Sequence, residues 1–337
     1  MLHPHGLCKQ LYYTSDFSID KPCGMKKILC FNPKEKKQKS IFMSSHVLLS
    51  CVKPCDGVAI TPNIDKKNNG KSMELKNIQI EAAGNGVPTE LKRIRYKSGL
   101  DGMDDWAMVL PPKDGAKWLV CIHGHGSLGD QLYTRKDIRD WYLPLFQARG
   151  YGILTPTLRG NAWMAPPAVE DLDGLLDFLR MEYKAEKFYF FGGSMGGTSN
   201  LTYACLRPQN VAGVVANGAA TDLVSYISFC RKGQDKIPVL KDIADAIEKN
   251  YNNDTAVMRA HSALYNWQAL KGKRIFYAQG TFDQLMPVVD ARRLAGAMAE
   301  ERGFAYVEIP GGDHDSPLFI GFTENSSVFK PFDWMEG

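Results

Sequence analysis

The sequence has no long apolar run. Of its 337 residues, 44% are hydrophobic and 23% are charged, which is ordinary for a globular protein. No uninterrupted apolar stretch approaches the roughly 18 residues that are needed to span a bilayer. The sequence therefore excludes a polytopic membrane protein, and we expect no integral membrane span.

Positive charge is scarce in most of the chain. The formal net charge is +4, but residues 1–71 hold 12 Lys, no Arg and 5 acidic residues, and the remaining 266 residues carry 29 bases against 32 acids. A protein that reads nucleic acid concentrates basic charge on its folded part, because neutralising phosphates supplies most of the affinity. We therefore expect no nucleic-acid partner.

Cysteine is sparse after residue 55. Only Cys121, Cys205 and Cys230 follow the five cysteines of the first 55 residues, and three cysteines cannot build a disulfide framework for a domain of this size. Two histidines precede Cys8, but these spacings do not match those of a zinc site. We expect no metal.

Residues 1–72 show no sustained period of 2 or 3.6 and end in a polar run, which predicts a disordered leader ahead of a folded domain over 73–337. Within the leader, a basic stretch precedes the apolar run Ile41–Leu49 and then Cys51. This order resembles a bacterial lipoprotein signal, in which Cys51 would be lipidated and the protein exported or lipid-anchored. The alternative is a cytoplasmic protein with a mis-started extension, the true start being Met25.

The pattern changes after Met73. Three short, partly alternating stretches, 75–82, 91–97 and 106–110, predict an antiparallel start to a sheet. Apolar runs suited to strands buried on both faces follow at 118–122, 152–155, 188–191, 211–217, 274–279 and 305–309, with helices predicted at 168–183, 195–206 and 288–302. This alternation predicts an α/β fold with a mostly parallel sheet, helices on both faces and a small helical cap inserted at about 221–272.

A G-x-S-x-G pentapeptide lies between a predicted strand and a predicted helix. Ser194 is its central residue, and glycines at positions 192 and 196 would let strand and helix pack closely while exposing the Ser hydroxyl at the helix N-terminus. The alternative is a tight glycine turn with an idle serine. Because the flanking elements match the context of a nucleophile elbow, we expect Ser194 to be a nucleophile.

A serine nucleophile needs a base, and the base needs an orienting carboxylate. Asp283 and His314 each follow a predicted strand, and the carboxyl ends of parallel strands are where ligands bind. The order Ser, Asp, His along the chain fits this architecture. Asp313 and Asp315 are the competing carboxylates.

His261 is the competing histidine, but no strand end precedes it. The loop His123–Ser127 (HGHGS) offers glycines that let backbone approach a substrate. The N–H groups of His125 and Met195 are therefore expected to form an oxyanion hole, whereas the His123 side chain is expected to hydrogen-bond within its loop.

Together these residues resemble the α/β-hydrolase superfamily. The runs Tyr96-Lys97-Ser98, Asp101-Gly102, HGHGS, Arg159-Gly160 and GTFDQLMP resemble the catalytic domain of the prolyl oligopeptidase family and its esterase relatives. This resemblance implies hydrolysis through an acyl-serine, with Ser194, Asp283 and His314 as the catalytic triad. No metal or organic cofactor is expected, because the chain supplies base, nucleophile and oxyanion donors.

The resemblance does not decide between an ester and a peptide as the substrate. Prolyl oligopeptidases carry a β-propeller before this domain, for which 74 residues are too few, and no basic residues that would hold a peptide terminus are identifiable. We therefore favour a carboxylesterase acting on a small-molecule ester, with a small serine peptidase acting on short peptides as the alternative.

A non-catalytic binding protein on the same fold is the alternative from another class. The oligomeric state stays open. Four aromatic side chains are candidates for pocket walls or for the core of the cap: Trp163, Tyr226, Phe229 and Trp267.

Overall fold

The structure is a computed structural model that describes residues 74–83, 88–320 and 330–337. The predictions for residues 1–72, including those for Met25 and Cys51, lie outside the described residues. Within the described ranges, no helix combines the length and apolarity that crossing a membrane requires.

One sheet of nine strands organises the described part of the chain. The strands are β1 Lys76–Ala82, β2 Lys92–Lys97, β3 Asp104–Leu110, β4 Lys117–Cys121, β5 Gly152–Pro156, β6 Lys187–Gly193, β7 Gly213–Asn217, β8 Arg274–Gly280 and β9 Phe304–Ile309. Their spatial order is β1-β2-β3-β5-β4-β6-β7-β8-β9. The pairs β1–β2, β2–β3 and β3–β5 are antiparallel, and all later pairs are parallel. The predicted mostly parallel sheet with an antiparallel start is confirmed.

Helices cover both faces of the sheet. Their bounds are α1 Gln131–Thr134, α2 Lys136–Ala148, α3 Pro166–Tyr183, α4 Met195–Leu206, α5 Leu223–Gly233, α6 Val239–Asn250, α7 Thr255–Ala260, α8 Ala263–Asn266, α9 Val288–Ala297 and α10 Pro331–Glu336. Helices α1, α2 and α10 were not predicted. In α2, Ile138, Tyr142 and Leu145 have the helical spacing i, i+4, i+7 that could have revealed it, although Pro144 lies inside the helix.

The central strands are buried on both faces. Every residue of β5 and β7 is buried, as expected for a parallel sheet covered by helices. Along β4, Trp118 and Val120 belong to one apolar core, whereas Leu119 and Cys121 belong to the other. This alternation places one core on each face of the sheet.

The connection from β7 to β8 is helical and forms the cap. Helices α5 and α6 pack together over a third apolar cluster, which includes Tyr226, Ile243 and Ile247. Asp222 caps the N-terminus of α5 by accepting hydrogen bonds from the N–H groups of Val224 and Ser225, both 3.1 Å. The cap therefore has a core of its own, above the carboxyl ends of the strands.

An ionic cluster joins the β2–β3 turn to the loop after β5. The Arg159 side chain is only 10% exposed and donates to Asp171 at 2.6 Å, to Asp101 at 2.7 Å and to Ser98 at 2.8 Å. Hydrogen bonding to Arg159 lowers the pKa of Asp101 to about 2. The Asp171 side chain is 2% exposed, so its charge depends on Arg159 for compensation.

We expect Arg159→Met to lower the free energy of unfolding by about 3 kcal/mol or more, because it leaves the buried Asp171 carboxylate without its cation. Urea denaturation measures the loss. The double variant Arg159→Met/Asp171→Leu should recover most of it, since both charges are then removed. Equal stability of the wild type and the single variant would show that the pair is not coupled.

Candidate active site

Ser194 lies at the sharp turn between β6 and α4. Its backbone has φ 58° and ψ −126°, a conformation that is rare and strained for a residue with a side chain. Its N–H donates to the carbonyl of Asn217 at 2.8 Å. A Cβ added at Gly196 would lie 2.0 Å from the carbonyl oxygen of Ile122, and one at Gly192 would lie 2.6 Å from the carbonyl carbon of Gly196. The two glycines therefore allow the close packing that their positions predicted.

Asp283 and His314 meet across the ends of β8 and β9. Oδ2 of Asp283 lies 2.8 Å from Nδ1 of His314. The Asp283 side chain is 0% exposed and that of His314 is 20% exposed. The other carboxylate oxygen accepts hydrogen bonds from the N–H groups of Leu285 at 2.8 Å and Met286 at 2.9 Å. These contacts orient the imidazole and compensate a buried charge.

Gly218 leaves room for this pair. It has φ +51°, and a Cβ there would lie 3.4 Å from both Oδ2 of Asp283 and Nδ1 of His314. A larger residue at this position would combine backbone strain with crowding of the imidazole.

The competing residues are engaged elsewhere. The Asp313 carboxylate accepts hydrogen bonds from the N–H and hydroxyl of Ser316. The Asp315 side chain is 58% exposed and lies 3.8 Å from Arg135. Nδ1 of His261 lies 2.9 Å from the carbonyl oxygen of Met164, and burial lowers the pKa of this histidine.

A cavity of about 310 Å³ contains Ser194 and His314 in its wall. On one side it is lined by Leu132, Ile138, Phe191 and Leu318, and on the cap side by Val239, Ile243 and Leu285. No hydrogen bond joins Ser194 to His314 within the described residues. Bonds between nucleophile and base often tighten only when substrate is bound.

The HGHGS loop forms another wall of this cavity. The N–H of Gly124 donates to Gln131, that of Gly126 to Asn161, and that of Ser127 to a carbonyl in the loop. In the described part of the chain, the His125 N–H has no such partner. Met195 is the first residue of α4, where N–H groups have no acceptor within the helix. Both N–H groups selected from the sequence are therefore available as donors.

His123 is bound within its surroundings. Its Nδ1 lies 2.8 Å from the carbonyl oxygen of Gly124 and its Nε2 lies 2.9 Å from that of Thr157. The contact with Gly124 is the expected hydrogen bond within the loop, and the contact with Thr157, which was not predicted, links the loop after β4 to the loop after β5.

Comparison with known proteins agrees with the fold described above. The alpha/beta hydrolase fold family matches residues 117–239. An esterase of Pyrococcus furiosus superimposes with a TM-score of 0.55 at 16% identity, covering 78% of this chain and 95% of that one. The chain has the α/β-hydrolase fold.

Other similar proteins include peptidases. The acylaminoacyl peptidase of Pyrococcus horikoshii shares this α/β-hydrolase fold with a TM-score of 0.50 at 16% identity, covering 78% of this chain and 40% of that one. A probable proline iminopeptidase of Leptolyngbya boryana is 28% identical over 129 residues, which are 36% of this chain and 39% of that protein. The match thus spans about two fifths of that relative. Hydrolases of both esters and peptides are therefore among the neighbours of this fold.

The aromatic candidates for pocket walls are not in the wall of the cavity. Trp163 and Tyr226 are buried in the apolar cluster of the cap, and Phe229 packs against that cluster. Trp267 packs against the sheet core that contains Trp118 and Val120. The alternative prediction, that these side chains form the core of the cap, is therefore correct for Trp163, Tyr226 and Phe229. Instead, α1, α2 and Arg135, which lies between these two helices, supply part of the wall. Sequence reasoning missed Arg135 because no motif marks it.

We expect Asp283→Asn to lower kcat by about 10³-fold or more with little change in stability, because an amide N–H facing Nδ1 would favour the tautomer that cannot act as a base at Nε2. Steady-state kinetics measure the loss. Asp313→Asn and Asp315→Asn are the matched controls, and both should retain activity. Loss of activity in either control, with activity kept in Asp283→Asn, would assign the acid elsewhere.

Proposed function

We propose that this chain is a serine hydrolase that forms an acyl intermediate on Ser194. The observation that carries the proposal is the 2.8 Å contact between buried Asp283 and His314, which lines the same cavity as Ser194. A fixed imidazole beside a serine held at a strained strand-to-helix turn is the arrangement that nucleophilic acyl transfer requires.

Each residue has one role in the proposed reaction. The Ser194 Oγ attacks the substrate carbonyl while Nε2 of His314 takes its proton, and Asp283 keeps the other nitrogen of the ring protonated. The N–H groups of His125 and Met195 stabilise the oxyanion. His314 then protonates the leaving group, and water releases the acyl group by the same steps in reverse.

We propose an ester as the substrate, acted on by a carboxylesterase. Esters have a better leaving group than amides, so they demand less of the site. The charge at the cavity supports this choice. Arg135 lines the cavity but pairs with Asp137 at 2.7 Å and lies 3.8 Å from Asp315. A guanidinium already facing two carboxylates offers little net charge to the carboxylate of a peptide.

A small serine peptidase is the second candidate. Arg135 is the observation that favours it, because a guanidinium in the cavity wall could bind a peptide carboxylate if Asp137 or Asp315 moved away. The variant Arg135→Gln separates the two candidates. An esterase should keep its KM for a neutral ester, whereas a peptidase should show a raised KM for a substrate with a free carboxylate.

We expect turnover of a short p-nitrophenyl ester and much slower turnover of the p-nitroanilide with the same acyl group. Ser194→Ala should lower kcat by on the order of 10⁴-fold, and adding His314→Ala should cost little more, because the two residues act as a unit. A fluorophosphonate should label the wild type and Ser199→Ala, which changes a buried serine of α4, but not Ser194→Ala.

Faster hydrolysis of the anilide would favour the peptidase. Absence of both labelling and turnover in a folded protein would favour a binding protein on the same fold.

A further inference from the structure

Trp163 makes a polar contact with the side chain of His125. Its indole Nε1 lies 3.2 Å from Nδ1 of His125, with the two ring centroids 5.9 Å apart. An indole N–H can only donate, so Nδ1 must accept and carries no proton. In neutral His125 the proton is therefore on Nε2.

The surroundings of His125 favour its neutral form. Burial lowers the pKa of His125, the neighbouring His123 lowers it further, and Asp242 on α6 opposes both. Protonating Nδ1 would also set two N–H groups against each other at Trp163. His125 lines the catalytic cavity, and its Nε2 has no hydrogen-bond partner among the residues that the structure describes. A side-chain donor is thus available at the cavity.

The segment that carries Trp163 is strained and firmly held. Trp163 has φ 51° and Met164 has φ 56°, in the left-handed region that residues with side chains seldom adopt. The Tyr251 hydroxyl donates to the carbonyl of Trp163 at 2.9 Å, and Nδ1 of His261 lies 2.9 Å from that of Met164. The strain persists because the cap fixes both carbonyls.

We propose that Trp163 is a positioning residue, which holds His125 in its Nε2–H tautomer so that this side chain donates a hydrogen bond to the acyl arm of the substrate. The proposal rests on the proposed function of Ser194. The leaving oxygen must face His314, which protonates it. His125 lies on a different loop of the same cavity, so we assign its side chain to the other arm, the acyl group. The preferred acyl group accordingly carries an acceptor oxygen close to the carbonyl.

Nitrogen NMR tests the tautomer without any substrate. In ¹⁵N-labelled protein the signals of His125, assigned by their loss in His125→Gln, should show a protonated Nε2 and a bare Nδ1. In Trp163→Phe both tautomers should appear, and the pKa of His125 should rise because the bond that favours the neutral ring is gone. A protonated Nδ1 in the wild type would overturn the proposal.

Matched esters test the effect on substrate. The p-nitrophenyl esters of methoxyacetate and butanoate have acyl groups of similar size, and only the first has an ether oxygen. Trp163→Phe should raise KM for the methoxyacetyl ester about twofold, because only the part of His125 that keeps the Nε2–H tautomer can donate, with little change for the butanoyl ester. Removing the donor in His125→Asn should raise KM for the methoxyacetyl ester about tenfold, the value of one hydrogen bond. An equal rise in KM for both esters would mean that Trp163 has only a structural role.

Three variants serve as controls. Trp118→Phe makes the same chemical change at a buried indole whose N–H has no partner in the described part of the chain, so it should affect both esters equally. His125→Gln keeps an N–H donor near the position of Nε2, so it should retain the preference for the methoxyacetyl ester over the butanoyl ester. The shorter side chain of His125→Asn should lose this preference. Loss of the preference in Trp118→Phe would contradict the proposal. If fluorophosphonate fails to label wild-type Ser194, the proposed function fails instead, whatever the NMR result.

Discussion

The buried carboxylate of Asp283 is the constraint on which the candidate site depends. A charge that is 0% exposed is costly unless hydrogen bonds compensate it. Two backbone N–H groups, the side chain of Gln279 and the ring of His314 surround it. The loops after β8 and β9 must therefore lie close together. A Cβ at Gly280 would lie 2.3 Å from the carbonyl oxygen of Asp313, so glycine there permits the approach that sets the imidazole in place.

The loop after β5 connects the cap to the expected oxyanion donors. Arg159 fixes its beginning through Asp171 and Asp101, and the cap holds the carbonyls at its end. Between them, Oδ1 of Asn161 accepts from the N–H of Gly126 at 2.8 Å, while its carbonyl accepts from Asn250 of α6 at 3.0 Å. A shift of the cap would therefore move the HGHGS loop through Asn161. Substrate binding under the cap can in this way be coupled to alignment of the expected oxyanion donors.

Local patterns predicted the fold class, and they selected the three residues of the candidate triad, of which Asp283 and His314 are in contact. Ser194 could be selected because a nucleophile elbow is a short signal between a buried strand and a helix, and Asp283 and His314 because each follows a strand. Longer-range features could not be predicted in this way. The place of β5 between β3 and β4, the convergence of Ser98, Asp101 and Arg159, and the contact of Trp163 with His125 all join residues that are distant in the sequence. The cavity walls also depend on α1 and α2, whose periodicity is short and interrupted by Pro144.

The central claim is that Ser194 becomes acylated, and trapping that intermediate tests it most directly. The wild type would be mixed with excess p-nitrophenyl ester, quenched in acid within one turnover and examined by intact mass and by peptide mapping. We predict a mass increase equal to one acyl group, located on the peptide that contains Ser194 and absent from Ser194→Ala. Release of p-nitrophenol with no adduct in the acid-quenched protein would contradict the account. An adduct on a residue other than Ser194 would also contradict it.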